Sequence, residues 1–271
     1  MGFLTSQNIQ QFYEMFAKIE VTFNKEVTKS VGLNQDDVLL KMAGAQLPAI
    51  LYSSSFESAK VIISLRPDQF EKIKHENNTG MLRLGFKLPD KIDTLKFFIN
   101  IRVKGFNRYS SQQQDLYFLH LEFTQRPPED FIAIVGQFLE VNVNSKKRAD
   151  ERIPIKEDVI KKIGFASATC TVFVERVPRK CIVRDLSFGG CQLLLPGLAK
   201  FLLNKEVVLR LVRLENGSDI DLVGKIVRSD EIEGRKDLAI VGVQFDTSRV
   251  PMTYKTLLNQ YLKVYQKAKG S

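Results

Sequence analysis

Tryptophan is missing from this chain of 271 residues, histidine occurs twice and cysteine three times. His75 and His120 lie far in sequence from Cys170, Cys181 and Cys191, and the cysteines form no CxxC pair. A structural zinc site needs about four convergent thiolate or imidazole ligands, so this inventory argues against one. Each cysteine instead sits in a strand-like run, ATCTVFV, RKCIV or CQLLL. That placement points to buried thiols in a reducing compartment. No apolar run approaches the roughly 18 residues of a membrane-spanning helix, and the opening MGFLTSQNIQQFYEMF lacks the basic-then-apolar pattern of an export signal. The expected location is the cytoplasm. Phosphate-binding GxxxxGK[ST] and GxGxxG loops, a GxSxG nucleophile elbow and a metalloprotease HExxH are all absent. These absences lead us to expect no catalysis, cofactor or metal.

What is present belongs to a globular protein: 44% apolar and 26% charged residues, with a formal charge of +9. The length suits one large or two ordinary domains. Residues 1–144 hold 16 basic and 16 acidic side chains, so the 24 basic and 15 acidic residues of 145–271 account for the entire excess. An anionic partner is expected at the second half, whether a small nucleotide or nucleic acid.

Ile9, Phe12, Phe16, Ile19 and Phe23 recur at three- and four-residue intervals, which predicts one helix from Ser6 to about Val31. Strands are predicted near 38–42, 46–52, 59–65, 81–87, 95–104 and 115–123, with a short helix at Pro67–Glu76. Pro127 and Pro128 open a helix predicted to end near Val141. The second half repeats the order: a short helix at 156–163, six strands between 167 and 245, and a closing helix from about Met252 to Lys267. GQFLEV (136–141) and NQYLKV (259–264) correspond position by position, which suggests two diverged copies of one unit. The expected class is mainly β with flanking helices (α+β), as two tandem barrel-like domains.

The segment KKRADER, 146–152, gathers four basic residues where the halves meet, and the run before it, Asn142 to Ser145, reads as a linker. About thirty residues later, IVRDLSFGGCQLLL places Asp185, Ser187, Gly189 and Gly190 between two strand-like runs. Alone that loop is a hairpin turn. Together, Arg148-x3-Arg152 and Asp185-x-Ser187-x2-Gly190 resemble the two-part signature of the PilZ domain family, and IVGVQF (240–245) looks like its closing strand. A second basic pair, Arg176 and Lys180, lies nearer Asp185 in sequence but has lysine in place of the second arginine.

The resemblance covers about 145–246, and the two-domain layout is similar to the PilZ cyclic di-GMP receptors of spirochaetes. It implies a six-stranded PilZ barrel with a C-terminal helix at 156–271, a linker at 142–155 carrying the arginines, and an N-terminal PilZ-like domain at 1–141 without ligand motifs. It implies cyclic di-GMP as the ligand. Arg148 and Arg152 would hold phosphate or guanine O6/N7, and Asp185 would accept from guanine N1–H and N2–H2. Ser187 would add a donor or acceptor. Gly189 and Gly190 would let the base approach the backbone, and Lys147 stands where the family tunes the number of bound ligands. The expected function is a receptor whose domains rearrange on binding to regulate a partner protein, of unstated identity, in motility, virulence or gene expression. The rival is a nucleic-acid-binding regulator using the basic second half.

Overall fold

The computed structural model describes residues 5–42, 44–75, 78–87, 94–109 and 115–269. The chain divides into two compact units, Met1–Glu140 and Val141–Ser271.

The first unit opens with helix α1 (Ser6–Phe16), strand β1 (Val21–Thr22) and helix α2 (Lys25–Val31). One helix was expected over this whole stretch. Thr5, not Ser6, caps α1, with Asn8 completing a reciprocal capping box. The helix stops after Phe16 because β-branched Val21 and Thr22 pair with Ser54 and Ser53 instead. Asn24 then restarts a helix by accepting from the Val27 N–H at 2.9 Å. Gly32, at φ 74°, ends α2 in the left-handed conformation that glycine adopts without strain.

Strands β2 (Leu33–Met42), β3 (Ala45–Ser54), β4 (Ser58–Ser64), β5 (Thr79–Phe86), β6 (Leu95–Arg108) and β7 (Leu116–Phe123) follow. Helix α3 (Pro67–His75) lies between β4 and β5, while Glu76, the expected end of that helix, lies outside the described residues. Antiparallel pairing runs β3–β2–β5–β6–β7–β4 and closes through β3–β4, giving a six-stranded barrel with β1 added at β3. Alternation sends Phe97, Ile99, Ile101 and Val103 of β6 into the interior. Helix α4 (Glu129–Lys147) follows β7, and its Phe131 is wholly buried among Phe56, Phe86, Phe97 and Phe123.

The second unit contains β8 (Ile153–Pro154), α5 (Glu157–Ile163), β9 (Thr169–Val174), β10 (Val177–Leu186), β11 (Gly190–Pro196), β12 (Glu206–Val212), β13 (Asp219–Ile232), β14 (Arg235–Phe245) and α6 (Met252–Lys269). Its ring is β11–β14–β13–β12–β9–β10, closed by β10–β11, with β8 added at β10. Numbered within each unit, the two barrels have the same pairings, down to the short extra strand on the second barrel strand. Each unit also carries a seven-residue helix that ends at a left-handed glycine, Gly32 or Gly164. Among the described residues, no helix is long and apolar enough to cross a membrane.

Residues 142–155, expected to be a linker, carry regular structure. Helix α4 runs on to Lys147 rather than ending near Val141, since no glycine or proline lies between Val141 and Lys147, and Lys146 and Lys147 complement its C-terminal dipole. A turn and strand β8 then complete the segment.

Replacing Phe131 by Ala should cost the first unit about 3–5 kcal/mol, the range for emptying a fully buried ring. Urea unfolding would measure it. A loss below about 1 kcal/mol would show that α4 does not supply the centre of this core.

Candidate functional site

The Arg148–Arg152 segment and the Asp185–Gly190 loop meet at one end of the second barrel. Strand β8 pairs with β10, setting Ile153 opposite Leu186 and Pro154 opposite Asp185. The Ile155 N–H donates to the Arg184 carbonyl at 2.8 Å, and the Gly189 N–H to the Ala149 carbonyl at 3.0 Å. Arg152 Nη1 donates to Asp185 Oδ1 at 2.6 Å, a charge-assisted contact, and the same oxygen accepts from the Gln192 N–H at 3.0 Å. Arg148 Nε lies 3.8 Å from Glu151 Oε2, within the same turn. The arginine segment is therefore held against the barrel by backbone and ionic contacts. Asp185 and Glu151 supply charges opposing the two arginines.

Half of the Arg152 side chain is exposed, whereas Asp185 is largely covered. Lys147 is exposed at the end of α4. Arg152 and Asp185 thus place a donor for an anion or for guanine O6/N7 beside an acceptor for guanine N–H groups, with Arg148 on the same docked segment.

Ser187 and Gly190 have other roles. Ser187 is buried, and its Oγ donates to the Gly190 carbonyl at 3.0 Å while accepting from the Gly190 N–H at 3.1 Å. Its hydroxyl thus shapes the turn. A Cβ on Gly190 would meet the Val243 carbonyl oxygen at 2.2 Å, so the neighbouring strand β14 by itself requires glycine here. Gly189 serves the arginine turn through Ala149 and accepts from the Phe245 N–H at 2.9 Å. Sequence reasoning missed Tyr254 of α6, whose buried hydroxyl donates to the Ser187 carbonyl at 2.8 Å. Burial pushes that phenol well above its usual range, so it stays a neutral donor. In the sequence it is one apolar position of an amphipathic helix, with nothing to mark the contact.

Arg176 is excluded as a partner of Asp185. It lies at the turn of the β9–β10 hairpin, at φ 71°, nine residues and so roughly 30 Å of extended strand from Asp185. It lines a different concavity, with Phe173, Arg210 and Arg249.

The first unit repeats the loop with different side chains. Ser53-Ser54-Ser55-Phe56-Glu57-Ser58 occupies the register of Asp185-Leu186-Ser187-Phe188-Gly189-Gly190. Ser55 N–H donates to the Ser58 carbonyl at 2.8 Å, and Ser58 N–H to Ser55 Oγ at 3.0 Å, as in the second unit. The Phe123 N–H bonds the Glu57 carbonyl as Phe245 does that of Gly189. By the same register, Phe16 and Glu20 stand at the places of Arg148 and Arg152. Glu20 bonds Ser53 Oγ and Lys60, and both contacts hold its carboxyl below the usual range. The scaffold is kept while the cationic grip is replaced by a carboxylate.

Residues 7–142 match the PilZN3 domain and residues 146–263 the PilZ domain. A cyclic di-GMP binding protein of Treponema denticola is 37% identical over 267 residues, spanning 98% of this chain and 85% of that protein. Among solved structures, the Borreliella burgdorferi PlzA protein in complex with c-di-GMP is 23% identical, with a TM-score of 0.42 over 95% of this chain and 99% of that one. The K. pneumonia MrkH–c-di-GMP complex is 11% identical, with a TM-score of 0.32 over 87% and 89%.

Ser187→Ala should destabilise the second unit by about 1–3 kcal/mol, since it leaves the buried Gly190 N–H without its acceptor, and Tyr254→Phe by about 1 kcal/mol. Chemical denaturation would measure both. Unchanged stability in the two variants would contradict these roles in the turn.

Proposed function

The chain belongs to the PilZ family, with a PilZN3 domain followed by a PilZ domain, and on that premise we propose that it is a receptor for cyclic di-GMP, acting in the cytoplasm without a reaction of its own. The observation that carries the reading is the convergence of Arg148, Arg152 and Asp185 on one end of the second barrel. Cyclic di-GMP offers two phosphates and two guanines. A guanidinium can pair with a phosphate or with guanine O6/N7 and stack on a base, while a carboxylate accepts from the guanine N1–H and N2–H2. In this reading the guanine competes for Asp185, and Arg152 exchanges its carboxylate for the ligand. Lys147 adds positive charge at the rim.

The first unit is proposed not to bind the ligand. At its matching position the Glu20 carboxylate would face a phosphate, and like charges there oppose binding. Calorimetry with cyclic di-GMP should give micromolar affinity or tighter, about −8 kcal/mol or better. Arg148→Ala or Arg152→Ala should each lose roughly 2–5 kcal/mol of binding. Full-strength binding by the doubly substituted protein would remove these arginines from the site.

We further propose that binding alters the relation of the two domains and thereby the behaviour of a partner protein. Helix α4 begins in the first unit and ends at Lys147, next to Arg148, so a ligand that repositions the arginine turn acts directly on the end of that helix. A ligand shifts such an equilibrium only by binding one arrangement better, and arginines carried on the connection supply that difference. Energy transfer between dyes on the two domains should change on saturation with cyclic di-GMP. An unchanged transfer efficiency would refute the coupling while leaving the binding site in place.

A further inference from the structure

Cys170 of β9 and Cys181 of β10 are direct cross-strand partners, and their sulfur atoms lie 3.4 Å apart. Directly opposed residues of an antiparallel pair have Cα separations of about 4.5 or 5.5 Å, both within the span that a disulfide bridges. Closing the remaining gap to a bond of about 2.05 Å needs a movement of about 1.4 Å shared between two side chains. Cys181 is buried in the barrel, whereas Cys170 is only partly covered and gives a reagent its point of entry. Cys191 is buried opposite Leu186 and Val243, in register with neither of the other two. The three thiols are thus not equivalent: the geometry selects one pair.

We propose that Cys170 and Cys181 form a redox-active dithiol, a modification site at which a low-molecular-weight disulfide is reduced and a cross-strand disulfide is made. Cys170 releases its proton to solvent, and its thiolate attacks one sulfur of the reagent. The reagent's S–S bond breaks and its first thiolate leaves to be protonated. Cys181 then loses its proton, and its thiolate attacks the Cys170 sulfur of the mixed disulfide, expelling the second reagent thiolate. Two cysteine thiols are oxidised by two electrons, and one reagent disulfide becomes two thiols.

The adjacent Cys181 thiol and burial push the Cys170 thiol up, so its thiolate is scarce and the first step is slow at neutral pH. Such a pair suits a reducing compartment, where protein disulfides are transient and redox-sensing. Once formed, the bond fixes the β9–β10 register on the strand that ends with Asp185 and Leu186.

The full-length protein would be incubated with oxidised glutathione at mildly alkaline pH, its remaining thiols alkylated after denaturation, and the chain digested with trypsin without reduction. Cleavage after Arg176 and Lys180 separates the two cysteines unless a disulfide joins them. Mass spectrometry should find the Cys170 and Cys181 peptides linked, Cys191 alkylated, and the link removed by dithiothreitol. Cys191→Ala should leave the link intact, and Cys181→Ser should trap glutathione on Cys170. Amide exchange across Thr169–Ile182 should slow at least tenfold in the oxidised protein. Glutathione retained on Cys170 in the wild-type chain, free thiols at both positions, or a link through Cys191 would overturn the proposal.

Discussion

The contact between Arg152 and Asp185, 2.6 Å across thirty-three residues of sequence, is the interaction on which the rest of the second unit's surface depends. It joins the two motif segments, and it does so with a carboxylate that is largely covered and already accepts from the Gln192 N–H. A covered carboxylate needs a charged or hydrogen-bonded partner, because an unpaired one would bear a large desolvation cost. The β8–β10 pairing and the Gly189-to-Ala149 bond make the same connection through the backbone. The arginine turn is accordingly an element docked on the barrel.

Much of this was legible in the sequence. Alternating apolar runs located the strands, and the two motif segments singled out by spacing meet through Arg152 and Asp185. Three features escaped. The helix expected from Ser6 to Val31 is interrupted, because an apolar period in the sequence does not reveal that Val21 and Thr22 pair with a distant strand. Helix α4 runs through Asn142–Ser145, where polar composition suggested a linker; the Asn144 amide donates to Asn259 Oδ1 at 2.9 Å, a tertiary bond that local propensity cannot register. Tyr254 escaped too, because its bond to the Ser187 carbonyl joins α6 to a distant turn and leaves no mark in the local pattern.

The two units show how one scaffold is used twice. Phe131 and Tyr254 hold matching places on the closing helices, each meeting the phenylalanine that ends the last strand, Phe123 or Phe245. Phe12 packs where a Cβ on Gly136 would sit, at the positions matching Asn144 and Asn259, so an apolar contact in one copy is a hydrogen bond in the other. Retained turn chemistry with a changed charge explains how the first unit can keep its fold while losing the cationic grip. In the second unit, Lys162, Lys205, Arg210, Arg213, Arg228 and Arg235 are each paired with a carboxylate. These pairs cancel locally, so the excess of nine in the second half is carried by its other basic side chains.

The central claim is that these charges read guanine and phosphate together rather than negative charge alone. Titrating cyclic di-GMP and cyclic di-AMP in parallel calorimetric experiments, at about 50 and 200 mM salt, tests it most directly. A site in which Asp185 accepts from guanine should hold cyclic di-GMP at both salt concentrations and bind cyclic di-AMP at least tenfold more weakly, because adenine lacks the N1–H and presents different edge groups. Equal affinity for the two dinucleotides, collapsing together as salt rises, would contradict it.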